Sequence, residues 1–408
     1  MKGILRRACA LLIAVPCVGA AAERVGVDEA VAAALQRNAT LLRLQAEVGA
    51  ERARLAGAST LAATNPELEL LAGPRWRGSD RSTDYGIGLS QRLEIFGQRG
   101  ARVDSARSLV SAAEARLAMG RVEVAAGVRV AFYGALAAGE RVRLAADGVK
   151  LAEEALLAAE SRQQAGAASG IEVNAARIAV GRAAREQSEA EQRRTAAVAR
   201  LLLLLGMDAG QELVLSGALR GSADAPTDVK ARIEEALRRR PDLTAARQDL
   251  EAARAGVRLT SREALPSPRV GASYGEEEGA RIARGTIAFD LPVFQRNQAG
   301  RGVAAARLEQ SERAVEALER EIRTEVVVAV ERLRAASAAA TAFGGAALTS
   351  VAENLQLVTE AYRAGKVDFF QLLVLRRETL DARASYLSAL EELAAAQAEL
   401  KRAAGSIE

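Results

Sequence analysis

Ser90-Gln91-Arg92-Leu93-Glu94-Ile95-Phe96-Gly97-Gln98-Arg99-Gly100-Ala101-Arg102-Val103 has a second version in the same chain. That version is Phe289-Asp290-Leu291-Pro292-Val293-Phe294-Gln295-Arg296-Asn297-Gln298-Ala299-Gly300-Arg301-Gly302-Val303. Each passes from an alternating apolar run, through a turn holding Gly, Asn or Pro, into a long Ala/Arg/Glu-rich segment. Tyr85, Ile87 and Leu89 alternate with Gly86, Gly88 and Ser90, and Ile287, Phe289 and Leu291 with Thr286, Ala288 and Asp290. A period of two reads as strand. A strand running straight into a very long helix, twice, is the plan from which the rest follows.

Working outward from the first copy, Glu67-Leu68-Glu69-Leu70-Leu71 reads as a partner strand, 73–84 as a polar loop, and 85–93 as the return of a hairpin. Before it a helix over 29–57, capped by Asp28, ends before Thr64-Asn65-Pro66. After it helical pattern runs over 101–165, turns at Gly166-Ala167-Ala168-Ser169-Gly170, and resumes over 171–205 to stop at Gly206. The second copy is flanked in the same way. A helix over 229–265 is broken by Pro266-Ser267-Pro268, Val270, Ala272 and Tyr274 alternate, and 275–285 reads as a loop. Helix then runs over 298–364, turns at Gly365-Lys366-Val367-Asp368, and continues from Phe369. Leu35 and Leu237, Phe96 and Phe294, Arg107 and Arg307, Ala165-Gly166 and Ala364-Gly365 repeat at an offset of about two hundred residues. The expected organisation is an export signal over 1–22, a first repeat over 23–215 with its hairpin at about 66–93, a linker over 216–228, and a second repeat over 229–408 with its hairpin at about 268–292.

Composition agrees with long helices. Half the 408 residues are apolar but only 3% are aromatic, the mix of coiled coils rather than of compact mixed cores. Ile322, Val326, Ala329, Leu333, Ala336, Ala340 and Phe343 are spaced alternately by four and three, as are Leu348, Val351, Leu355, Val358 and Tyr362, and Leu372, Leu375, Thr379, Ala382 and Tyr386. That is a heptad seam. At 1.5 Å per residue a helix of about 65 residues reaches roughly 100 Å, a length suited to bridging a periplasm.

The net charge of +4 is small and its signs alternate, with no basic stripe among aromatics, so nucleic acid is not an expected partner. Lys2, Arg6 and Arg7, the apolar 8–15 and Ala20-Ala21-Ala22 before Glu23 read as an export signal. Both cysteines, Cys9 and Cys17, fall inside it; lipidation at Cys17 would follow Val15-Pro16, where a small residue is preferred. Beyond it no pure apolar run approaches the roughly 20 residues of a membrane helix. Entry into a membrane would therefore be as strands, which must close into a barrel. Four short strands are too few where about eight are needed, so chains would have to pool them. Two soluble hairpins packed on helices are the alternative.

The chain resembles the TolC-like outer-membrane efflux proteins over essentially its whole mature length. Arg239-Arg240-Pro241-Asp242-Leu243 is similar to the family's Arg-Pro-Asp-Leu signature, with Arg37-Asn38-Ala39-Thr40-Leu41 as a looser partner lacking the proline. Ala361-Tyr362-Arg363-Ala364-Gly365 resembles the family's turn motif at the periplasmic tip. The two stretches quoted first are most similar to the cobalt–zinc–cadmium (CzcC-type) branch. The resemblance implies a mainly α fold with a small β part: a duplicated helix–hairpin–helix repeat that, as a homotrimer, forms a long helical tunnel and a twelve-stranded outer-membrane barrel. It also implies docking with a periplasmic adaptor (membrane fusion protein) and an inner-membrane RND pump, and conduction of divalent heavy-metal cations. A conduit for drugs or secreted proteins is the alternative within the fold; a periplasmic coiled-coil adaptor or structural protein is the alternative outside it.

The mature chain holds no His, no Cys, and only Met119 and Met207 as thioethers, so neither a metal site nor a cofactor is expected, and no arrangement supports catalysis. By the resemblance, the tip residues Gly166, Ser169, Ile171, Gly365, Asp368 and Phe369 are candidate adaptor contacts. Two readings stay open there: Gly166 and Gly365 as backbone requirements of a turn, and Phe369-Phe370 as a core pair. Many family members narrow the tunnel with acids where this chain has Gln371 and Val374; Glu172 and Asp368 are the nearest acids, as constriction or as solvated helix ends.

Overall fold

The computed structural model describes residues 24–344 and 346–407; the export segment with Cys9 and Cys17 lies outside them. Each repeat is two short helices, a β-hairpin, then a long helical arm out and back, made of two helices in the first repeat and three in the second. The first comprises α1 (Val27–Arg37), α2 (Ala39–Ala58), β2 (Glu67–Arg77), β3 (Asp80–Arg92), α3 (Gln98–Gln164) and α4 (Gly170–Leu205). The second comprises α5 (Val229–Arg239), α6 (Pro241–Glu263), β5 (Pro268–Glu277), β6 (Ala280–Phe289), α7 (Gln298–Phe343), α8 (Ala346–Arg363) and α9 (Phe369–Ala403). The short strands β1 (Arg24–Val25) and β4 (Val214–Leu215) pair in parallel and tie the start of the first repeat to the linker.

The duplicated stretch is the switch from sheet to helix. Gly97 and Asn297 both stand in left-handed conformation before α3 and α7, at φ 77° and 55°; Gly and Asn are the residues that adopt it at least cost. One position on, Gln98 and Gln298 fold back so that their Oε1 accepts the backbone N–H of Phe96 and of Arg296, each at 2.9 Å. Arg262 donates to the Gly97 carbonyl at 2.7 Å, and Asn297 donates to the Thr260 carbonyl at 3.1 Å. Each switch is thus braced on α6.

Five expectations are corrected. The helix read over 29–57 divides at Asn38, and that over 229–265 at Arg240, both in extended backbone. Pro241 disfavours helical geometry in the residue before it and suits the first position of the next helix; in the first repeat Asn38 instead caps the Thr40 N–H at 2.9 Å and donates to the Leu204 carbonyl at 2.9 Å. The helix read over 298–364 is interrupted at Gly344, where the backbone is extended. Glycine is a poor helix former and the interruption falls in a Gly-Gly pair, leaving Phe343, the last of its seam, exposed while the six before it are buried. The loops read over 73–84 and 275–285 are almost wholly strand, with Gly78-Ser79 and Glu278-Gly279 as tight turns.

The core is a series of seams along the helices rather than one centre. Leu41, Phe132, Leu201 and Leu205 close the first repeat, and Leu243, Ile322 and Val326 the second. One 18-residue window of α3 is apolar enough by composition to cross a membrane, but 56% of it is buried within the protein, as a packing seam should be. The linker is fastened down: Leu219, Ala223 and Ala225 pack on α7 and α9, and Arg334 and Ser337 donate to the carbonyls of Pro226 and Ala223 at 2.9 Å each.

Candidate functional site

The two hairpins join into one antiparallel sheet in the order β2-β3-β5-β6. Directly opposed residues share a face. Leu68 stands opposite Leu89, Leu70 opposite Ile87, Ile87 opposite Tyr274, Val270 opposite Ile287, and Pro268 opposite Phe289. Most of these large side chains are solvent-exposed, as is Trp76 on the same face. The other face carries charge. Arg75 donates to Asp84 and to Glu278 at 2.8 Å each, Arg284 to Glu277 at 2.6 Å, and Arg269 reaches across β3 to Glu67 at 2.9 Å. The alternation of Glu67 and Glu69 with Leu68 and Leu70 is therefore a division between a charged and an apolar wall. What looked like loop polarity in 73–84 is that charged wall continuing.

At the far end of the long helices the two repeats form matching turns. Gly166 and Gly365 stand at φ 74° and 72°. The N–H groups of Ala167 and Lys366 reach back to the carbonyls of Arg162 and Ala361 at 2.8 and 2.9 Å, the pattern that satisfies the last carbonyls of a helix. Ser169 and Asp368 then cap α4 and α9, in reciprocal pairs with Glu172 and Gln371. Asp368 accepts the Gln371 N–H at 2.8 Å. Glu172, Asp368 and Gln371 thus have local work, each closing a helix N-terminus.

The turns rest on a shared core of Ala159, Val173, Tyr362, Phe369 and Leu372. Phe369 is 1% exposed, with its ring centroid 5.9 Å from that of Tyr362. It is a core residue and cannot serve as the surface contact expected of it. The side chains presented outward are Ile171, 72% exposed, and Phe370, 54% exposed, each two residues beyond its cap. Sequence reading took Phe370 as half of a core pair, which holds for Phe369 and not for Phe370, although counting from Ser169 to Ile171 and from Asp368 to Phe370 would have paired the two exposed side chains. It also missed Arg162, which stacks on the Tyr362 ring at 4.9 Å and donates to the Tyr362 carbonyl at 3.0 Å, joining the two tips.

The Tyr362 hydroxyl is buried with no hydrogen-bond partner among the described residues, and burial pushes its phenol above the ordinary value. A phenol held neutral in the folded state makes stability fall once pH passes the unfolded value of about 10. Tyr362→Phe should match or exceed wild-type stability at neutral pH, by up to about 1 kcal/mol, and should lose less stability in alkali. Chemical unfolding at pH 7 and above pH 10 checks both.

No group of three or more metal-ligating side chains exists among the described residues. A wall with one charged and one apolar face, carried on long helices, defines a membrane channel protein. Comparison gives the family: the profile of the outer membrane efflux proteins matches residues 30–207 and 232–406, and the chain belongs to it. Its place is the outer membrane with a periplasmic helical extension, and its activity is conduction rather than catalysis. The cobalt-zinc-cadmium resistance protein CzcC of Cupriavidus metallidurans is 26% identical over 84% of this chain and 81% of its own length. The pyoverdine export outer membrane protein OpmQ of Pseudomonas putida is 28% identical over 57% of this chain and 51% of its own. The crystal structure of the Campylobacter jejuni CmeC outer membrane channel superposes with a TM-score of 0.75 at 18% identity, over 93% of this chain and 85% of that one.

Proposed function

We propose that this chain is the outer-membrane duct of a tripartite efflux assembly that expels divalent heavy-metal cations. The observation that carries the reading is the four-stranded sheet: it has one apolar and one charged face, and β2 and β6 each pair on one side only. An open edge is not stable within a bilayer. Three copies, each contributing four strands, close a twelve-stranded barrel with the apolar face to lipid and the ion pairs to water. The long helices then continue the lumen into the periplasm. The cargo follows from similarity to CzcC, and the absence of His and Cys from the mature chain suits passage without capture. The similarity to OpmQ supports a second reading, export of a small organic molecule.

The tips meet a periplasmic adaptor coupled to an RND pump, with Gly166, Ser169, Gly365 and Asp368 shaping the turns and Ile171 and Phe370 presented at equivalent positions. Ile171→Asp with Phe370→Asp should abolish export while leaving the amount of assembled protein in the outer membrane unchanged; retained export would remove these side chains from the interface. Glu172, Asp368 and Gln371 of three copies ring the periplasmic mouth. Cargo is tested by deleting the gene and measuring cell-associated cobalt, zinc, cadmium and nickel, with dyes and detergents as controls. Metal accumulation alone, reversed by complementation, is expected; sensitivity to dyes with unchanged metal content would overturn the heavy-metal reading.

A further inference from the structure

The charged face of the sheet is almost wholly neutralised within itself. Its arginines are Arg75, Arg77, Arg92, Arg269 and Arg284, and each donates to a carboxylate. Arg75 bonds Asp84, Arg269 bonds Glu67 and Arg284 bonds Glu277, while Arg77 reaches Glu278 at 2.9 Å and Arg92 reaches Asp290 at 2.7 Å. Asp80, beside the turn, stands directly opposite Arg77. Glu69 is the exception. It is exposed and makes no ion pair among the described residues. Gly88 lies opposite it and Ser273 opposite Gly88, so two strands intervene before the row reaches Arg284, which is held by Glu277. With Leu71, Gly86 and Gly275 these residues line a cavity of about 470 Å³.

We infer that Glu69, supplied once by each copy, sets the charge preference of the barrel lumen, favouring cations over anions in passage. The inference rests on the reading of the sheet as a barrel wall whose charged face meets water. A carboxylate bonded to an arginine presents little net charge to a passing ion. An isolated one attracts cations and repels anions, and low-dielectric walls concentrate that effect. Rings of acidic side chains select cations in pores on the same ground. The neighbours of Glu69 matter here, because Gly86, Gly88 and Ser273 leave its carboxylate uncovered and bring no cation beside it. The whole chain is net positive, at +4, so a preference for cations would come from this face and not from overall charge.

Both cysteines lie in the export segment, so Gly88→Cys gives the mature chain a single thiol directly opposite Glu69. A Cβ at that position meets nothing closer than 3.6 Å. The full mature protein in phospholipid nanodiscs would be treated with two membrane-impermeant methanethiosulfonates, one carrying trimethylammonium and one sulfonate. Taking the ratio of their rates cancels any change in the thiol itself. When Glu69→Gln is added, the cationic-to-anionic ratio should fall about tenfold at low salt. A unit charge roughly 6 Å away through water moves each rate about threefold, in opposite senses. In about 1 M salt, where the screening length is roughly 3 Å, the difference should nearly vanish. Equal ratios in the two backgrounds would overturn the inference and keep the barrel. A thiol that neither reagent reaches would show a face shut off from water, and the barrel wall would fall together with the inference. Passage itself is measured by reversal potentials in planar bilayers under a potassium chloride gradient. Glu69→Gln should lower the potassium-to-chloride permeability ratio and Glu69→Lys should invert it; an unchanged ratio would remove Glu69 from selection.

Discussion

Replacing Arg240 by Met should cost about 3 kcal/mol of stability, the low end for removing one partner from a buried ion cluster, read as a lower midpoint of chemical unfolding followed by helical circular dichroism. Arg240 is only 3% exposed. Its guanidinium donates to Asp242 at 3.0 Å and to Glu325, which is also held by Arg402 at 3.5 Å. Burial works against its charge, but the bonds to Asp242 and Glu325 outweigh that and hold its pKa above the ordinary value. The side chain therefore stays charged wherever the protein is folded, and it joins α5 and α6 to α7. Arg240→Lys should recover little, because one ammonium cannot serve two carboxylates with a planar fork. Arg240→Met with Glu325→Leu should recover part of the loss, since an apolar pair leaves one fewer carboxylate without its partner. The equivalent break in the first repeat is held by Asn38, a neutral cap, and Asn38→Ala should cost only about 1 kcal/mol. Equal losses at the two breaks would show that the ion cluster adds nothing beyond the cap.

The duplication, the two hairpins and the tip turns were legible because they depend on local signals: period two, heptad spacing, and Gly at a turn. The division between charged and apolar walls was legible in Glu67 to Leu70 for the same reason. Dependencies between segments distant in the sequence were not. The segment 73–84 looks like a loop because Arg75, Asp80 and Asp84 are polar, and only the pairing of the strands shows Arg75 bonded to Asp84 across the hairpin and to Glu278 of the other one. Phe369 and Phe370 are adjacent and alike in sequence, yet Tyr362, from another helix, decides which of them is buried. Arg162 carries no motif at all. Its role exists only because two turns nearly two hundred residues apart come to lie side by side.

Gly206→Ala should destabilise the protein by about 3 kcal/mol or more, combining left-handed strain with a forced displacement of packed backbone, whereas Gly166→Ala should cost only about 1 kcal/mol. The two glycines have nearly the same backbone, at φ 68° and 74°, and both end a long helix. What differs is the surroundings. A Cβ on Gly206 would stand 2.5 Å from the carbonyl oxygen of Arg37 and 3.0 Å from its carbon, where α4 closes against the break between α1 and α2. A Cβ on Gly166 would meet nothing within 4 Å, and the same holds for Gly365 at the second tip. Comparing unfolding midpoints of the three alanine variants therefore separates conformational strain, common to all, from contact, present in one. Equal losses would mean that the backbone around Arg37 yields freely and that the end of α4 is not locked to it. The expected inequality places rigid closure at Gly206 and openness at the tips. A turn meant to receive a partner must keep its surface clear, while the node between the end of α1 and α4 has only its own chain to fit.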